Sequence, residues 1–259
     1  MGRMKNNLEI VTVVRDVTMY NACIASNPYL KNAVKHFCDN TCINRTIPYH
    51  YNKFINGFDF NQQAWIVFCH EDFEIQCDLE ELLSKCNRDS LYGAVGARKK
   101  TLIPFTLCRW QIVGDMKESD KQGRFLHRPG ARVAKGTICD TFDCCCLIVH
   151  SSLLEKHIIR FDEQLEFDLY IEDFCIQAKE QYGILSKILP LPSVHKSSHK
   201  VIPESYLRKL DYINAKWPQC VFAGTSTWIG GDIVGRHFKG WLRFIVMKFQ
   251  NWLNLRISE

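Results

Sequence analysis

The stretch Ala64-Trp-Ile-Val-Phe-Cys69, followed at once by His70-Glu71-Asp72, decides how this chain is read. An unbroken apolar run rich in β-branched and aromatic residues, with no polar alternation, predicts a strand buried on both faces. Such strands belong to the interior of an α/β sheet with helices on both sides. The abrupt change to three ionisable groups marks the strand's carboxyl end, the edge outside which open α/β sheets bind ligands. In extended chain His70 and Asp72 face one side and Glu71 the other. An imidazole and a carboxylate on one side suit Mn2+ or Mg2+ carrying a diphosphate. The metal neutralises charge developing on a leaving nucleotide. The same residues also read as a solvated strand end with a helix-capping acid, a reading that spacing alone leaves open.

Outward from this strand, periodicity alternates. Leu8 to Val14 reads as a buried first strand ending at Arg15-Asp16, and Ala33 to Phe37 as a second ending at Cys38-Asp39-Asn40. Tyr49 to Phe58 carries helical spacing, and Asp78 caps a helix reaching about Cys86. Leu91 to Ala97 is a further strand. Alternating strands and helices predict an α/β fold with a mainly parallel sheet flanked by helices. Arg98 to Lys135 is polar, basic and poorly periodic, and is expected to be a long loop region. Strand pattern returns over Thr137 to Val149 and over Ile184 to Leu189, where Pro190 and Pro192 end it. Helices are expected from Ser151, over Asp168 to Gln181, and over Pro203 to Ala215.

Bulk properties narrow the class. No Pro/Gly/Ser-rich linker divides the 259 residues, so one domain over 1–231 with an appendage over 232–259 is expected. The 13 cysteines are odd in number and contain no C-x-x-C pair, and the polar, basic start leads into no signal h-region. Reduced, buried thiols in a cytoplasmic protein follow as the expectation. The net charge of +5 is matched by Arg236, Lys239, Arg243, Lys248 and Arg256, in a segment without acids. A neutral body with one basic tail does not fit nucleic-acid binding. In the tail Phe238, Trp241, Leu242, Ile245, Phe249, Trp252 and Leu253 form one helical stripe opposite basic residues. No run there is long enough to span a bilayer, and the pattern predicts an amphipathic helix lying in the membrane interface.

Taken in order, these pieces resemble GT-A fold glycosyltransferases, family-2-like, and within them the streptomycin-biosynthesis-type subgroup, over roughly residues 8 to 200. The strand ending in His70-Glu-Asp72 resembles the family's nucleotide-sugar motif. Tyr51-Asn52 resembles its tyrosine-asparagine helix, and Gly93-Ala-Val-Gly96-Ala its glycine-containing strand. Asp140-Thr-Phe-Asp143 before the apolar run resembles its Asp-then-apolar strand. Phe161-Asp-Glu163 with Tyr170-Ile-Glu172-Asp173 resembles its turn and acidic helix. His195-Lys-Ser-Ser-His199 resembles its late histidine segment.

The resemblance implies a Rossmann-like fold and transfer of a sugar from a nucleotide-sugar donor to a hydroxyl of a glycan or lipid-linked acceptor. It implies inversion of configuration, within cell-surface polysaccharide or lipopolysaccharide synthesis. Asp72, His70 and His195 would hold the divalent metal, with His70 in place of the usual first aspartate. Asp16, Asp39, Asn40, Asn52 and Arg98 would join His70 and Asp72 at the donor. Asp143 and Trp110 would line the acceptor or sugar pocket. Inverting transfer needs a carboxylate base for the acceptor hydroxyl, and Asp173, with Glu172 second, fills that role. An ungapped match to the subgroup instead puts Ile171 at the base position. The tail would hold the enzyme on the inner face of the cell membrane. Two other readings stay open: nucleotidyl transfer, which would want glycines after the first strand that Val14-Arg15-Asp16-Val-Thr lacks, and a membrane-docked binding protein without turnover.

Overall fold

A computed structural model describes residues 7–101, 108–196 and 204–230, with the side chains of 100, 101 and 108–110 outside that description. The expected terminal helix over 232–259, and His199, lie outside the described residues.

The fold is mixed α/β. Its main sheet has seven strands: β1 (Asn7–Val14), β2 (Val34–Asp39), β3 (Ala64–Cys69), β4 (Ser90–Gly93), β5 (Ile138–Cys139), β6 (Cys146–His150) and β7 (Leu185–Ile188), in the order β5-β7-β4-β6-β3-β1-β2. The principal helices are α1 (Ile47–Gly57), α2 (Tyr170–Tyr182) and α3 (Glu204–Lys216). In β3 alternate residues serve two cores. Ile66 and Phe68 join one with Tyr51, Tyr170 and Phe174, while Trp65, Val67 and Cys69 join another with Leu30, Phe73 and Leu79. Two packed faces explain why the strand reads as an unbroken apolar run.

The sheet is parallel where β2, β1 and β3 pair and where β4 meets β7. It is antiparallel at β3/β6, β6/β4 and β7/β5. The expectation of a mainly parallel sheet therefore holds on one wing and fails through the centre. β6 runs against both neighbours, with Cys146 opposite Cys69 and His150 opposite Trp65. Its amino end, preceded by Asp143-Cys144-Cys145, thus arrives where β3 delivers His70. From β1 the chain steps to β2 on one side, and β3 then lies on the other. That is a topological switch point, where a crevice opens outside the carboxyl ends.

The expected loop over Arg98 to Lys135 is instead largely paired. Val95–Thr101 and Cys108–Gly114 form an antiparallel ladder that also holds Thr141–Phe142. Its charged residues break the apolar alternation, so main-chain pairing rather than burial builds it. The single strand expected over Leu91 to Ala97 divides at Ala94, because the chain leaves one sheet for another. Gly93 permits this: a Cβ there would lie 2.5 Å from the Phe142 ring. A further sheet pairs Ser193–His195 with Phe73–Ile75 and Met116–Ser119, setting His195 opposite Phe73 and Glu118.

Candidate functional site

Three donor groups meet at the end of β3. His70 Nδ1 is 4.0 Å and His195 Nε2 3.4 Å from Asp72 Oδ1. One ligand atom from each residue falls within 4.8 Å of the others, a spacing that fits one cation. Asp72 Oδ1 is buried and lacks a hydrogen-bond partner, since the His195 contact is an ion pair without hydrogen-bond alignment. A buried carboxylate oxygen without an aligned hydrogen bond is costly, and two imidazoles around it make an N/O set suited to a divalent first-row metal. The residues fit Mn2+, and through a retained water shell Mg2+.

The electrostatics agree with that geometry. Burial works to raise the Asp72 carboxyl, but His195 beside it and then His70 outweigh burial and hold it well below its ordinary value. Burial works to lower His195, and Asp72 overcomes it, so that histidine is shifted up. Burial lowers His70. A neutral imidazole is the ligand form. Tyr170 fixes the ring: its hydroxyl lies 2.7 Å from His70 Nε2 and donates to Cys144 O at 2.9 Å. Phe167 stacks on the His70 ring at 5.6 Å and 22°.

A cleft of about 400 Å³ opens beside the triad, lined among others by Arg15, Asn40, Arg45, Glu71, Glu166 and Phe167. The chain does not stay extended beyond β3: it turns at Glu71-Asp72, with Phe73 N donating to His70 O at 3.2 Å, and Glu71 ties two strand ends together. Its Oε2 accepts from the backbone N–H of Arg15 at 2.7 Å and of Asp16 at 2.9 Å. Arg15 donates to Asn44 Oδ1 at 2.8 Å, and the Arg45 guanidinium lies over Tyr49. Two cleft residues, Asn44 and Glu166, hold positive φ values of 51° and 58° without being glycine. Such strain gathers at ligand sites.

Of the expected donor residues, the structure brings His70, Asp72 and Asn40 to this cleft. Asn40 is spent on the fold: its amide donates to Arg45 O and accepts from Arg45 N, which pins the 40–45 loop. The remaining residues make contacts within the fold. Asp16 caps the short helix Val17–Tyr20 by accepting from Met19 N. Asp39 accepts from the Thr41 N–H and hydroxyl. Asn52 is a clamp, donating to Phe161 O and accepting from Phe161 N, both at 2.9 Å. Arg98 gives its Nε and Nη2 to Gln111 Oε1. Trp110 pairs with Lys99 through its backbone, and its side chain is outside the described residues. Arg15, Arg45, Glu166 and Phe167 were missed; only the charge beside Asp16 pointed to one of them.

The acidic pair on α2 divides. Asp173 is fully buried, with Lys216 Nζ at 2.8 Å from Oδ2 and Trp217 Nε1 donating to Oδ1 at 2.8 Å. Both oxygens are occupied by contacts from α3 and the residue after it, an arrangement that suits an anchor of α3 on α2. Glu172 faces the other way. Its carboxylate accepts from Cys144 Sγ at 2.9 Å, and burial above all pushes it up to about 8. Asp143, at the amino end of β6, accepts from Cys145 N and from the Thr225 hydroxyl, and its carboxylate lies within 4.8 Å of a His195 nitrogen.

No protein-family model matches the chain, and a search of curated proteins finds no match. Among the described residues no helix is long and apolar enough to cross a membrane.

Proposed function

We propose that this chain is a GT-A-like glycosyltransferase that binds a nucleoside-diphosphate sugar through a divalent ion held by His70, Asp72 and His195. The observation that carries the reading is the orphaned Asp72 oxygen between two imidazoles, at the switch-point edge of the sheet and beside a cleft bearing Arg15 and Arg45. Such an edge is where α/β sheets bind nucleotides. The bound ion supplies neutralisation of the leaving diphosphate. Arg15 and Arg45 offer cationic donors to the phosphates. Phe167 and the His70 ring form a flat wall for the donor. Glu172 takes the base role first given to Asp173: a carboxylate with pKa near the working pH removes an acceptor proton most effectively. The proposed acceptor is a hydroxyl of a glycan or lipid-linked saccharide, delivered at the inner membrane face that the basic tail favours.

The test is thermal shift of the full chain with UDP-, GDP-, CMP- and dTDP-sugars, with and without Mn2+. Stabilisation by one nucleotide class, dependent on Mn2+ and lost in Asp72→Asn, is expected. Stabilisation by none of them overturns the proposal. The burial of Asp173 favours a second reading, a nucleotide-sugar-binding protein without turnover. It would keep the thermal shift and release no nucleoside diphosphate with any acceptor.

A further inference from the structure

A second group of donor atoms lies beside the first and differs in chemistry. Because β6 runs backwards, Asp143 and Cys145 reach the edge on which Ser193–His195 is laid. One donor atom each from Asp143, Cys145 and His195 lies within 4.8 Å of the others. The set is oxygen, sulfur and nitrogen, where the first is oxygen and two nitrogens. A second soft atom, Met116 Sδ, is 3.5 Å from Cys145 Sγ. Asp143 is already aimed, its two oxygens accepting from Cys145 N at 3.0 Å and Thr225 Oγ1 at 3.1 Å. Held carboxylates of this kind are what metal sites build around their ligands. Glu118, paired in register with His195, adds negative charge nearby.

Sulfur donors select zinc or cuprous ion over manganese and magnesium, which prefer oxygen and water. We propose that Asp143, Cys145 and His195 form a zinc site, and that zinc bound there withdraws His195 from the triad with His70 and Asp72. A neutral imidazole has one lone pair to give, its other nitrogen carrying the proton. The two groups therefore compete for one histidine, and an ion in the sulfur-containing group leaves the other triad one ligand short. Binding replaces the Cys145 S–H bond with a Zn–S bond and releases the proton to solvent, and no electron is transferred. The inhibitory consequence rests on the glycosyltransferase reading, whereas the binding does not.

The experiment uses Co2+ as a spectroscopic stand-in for Zn2+, titrated into the full chain and followed by thiolate-to-cobalt charge transfer in the near ultraviolet. The band is expected in the wild type and is displaced by Zn2+. It is lost in Cys145→Ser, and persists in Cys144→Ser and in Asp72→Asn. Cys145→Ala is measured in parallel, since a buried hydroxyl without a partner weakens the fold, and it is expected to lose the band too. No band in the wild type, or a band that survives both Cys145 variants, overturns the site. In a transfer assay at saturating Mn2+, Zn2+ is expected to inhibit the wild type and to lose potency at least about tenfold against Cys145→Ser. Equal potency against both overturns the competition for His195. A chain that shows the cobalt band and turns over no nucleotide-sugar keeps the zinc site and loses the proposed activity.

Discussion

If Asp173 anchors α3 to α2, removing its carboxylate must unfold the protein more easily before it does anything else. The carboxylate is wholly buried and receives two hydrogen bonds, one from the Lys216 ammonium and one from the Trp217 indole. A bond to a charged group contributes about 1.5–3 kcal/mol, and breaking a buried pair by deleting one partner costs about 3–5 kcal/mol. Lys216 keeps Asp162 at 2.6 Å, so Asp173→Ala does not strand the ammonium. Asp173→Ala is therefore expected to lose about 3–5 kcal/mol. Asp173→Asn, which keeps shape and an acceptor for Trp217, should lose about half of that. Lys216→Met leaves the Asp173 charge buried beside Trp217 alone, and belongs with the larger loss. For a chain of this size each kcal/mol moves the melting midpoint by about 2–4 °C, which makes the Asp173→Ala shift about 6–20 °C. Urea denaturation followed by far-ultraviolet circular dichroism measures the loss directly, with the slope checked for constancy. A variant within about 0.5 kcal/mol of the parent that no longer transfers sugar would refute the anchor and restore Asp173 as the base.

Glu172 gives the opposite signature. Its pKa stands near 8 in the folded chain against an ordinary 4.5, raised chiefly by burial. A raised pKa means stability that is complete below 4.5 and is lost as pH climbs through 8. Glu172→Gln should abolish that slope in urea midpoints measured between pH 5 and 9, while removing the rising alkaline limb of turnover. A pH-independent difference between the two proteins would contradict it. Arg45→Ala and Arg15→Ala should each raise the dissociation constant for a nucleoside diphosphate about tenfold or more, the value of one charge-assisted bond, with melting points of the free protein unchanged. Calorimetry at fixed salt reads this, and unchanged affinity in both would move the phosphates elsewhere. Asn52→Ala strands the backbone N–H and C=O of Phe161, and should cost about 2–4 kcal/mol in a urea titration.

What was legible in the sequence follows from what each residue had to satisfy. β3 was readable to its ends because both faces are packed, and nothing but an apolar run satisfies that. His70 and Asp72 were readable because charge at the end of such a strand has few structural uses. The acidic pair was readable as a pair and not in its division, since Asp173 is defined by Lys216 and Trp217, more than forty residues away. The ladder Val95–Thr101 with Cys108–Gly114 was hidden because its strands carry charge and are made by pairing. Arg15, Arg45 and Phe167 were hidden for another reason. They sit on loops whose positions are set by contacts remote in sequence: Glu71 holding Arg15, and Asn52 holding the turn that leads to Phe167.

The same contacts explain why the site collects where it does. Were β6 parallel to β3, its carboxyl end at His150 would stand beside His70, and Asp143 would lie at the far edge of the sheet. Reversal exchanges those ends. It places the Asp143–Cys145 segment against the end of β3, where His70 N donates to Cys145 O at 3.1 Å. The small sheet then lays His195 across both groups, fixed by pairing to Phe73 on one side and Glu118 on the other. His195 is thus placed by backbone ladders, and its ring, paired with Asp72 at 3.4 Å, lies within reach of both donor sets. If the two proposed ions bind as argued, a histidine positioned in that way at the meeting of a nitrogen-rich and a sulfur-containing donor set makes metal identity, and not only metal presence, decide the state of the site.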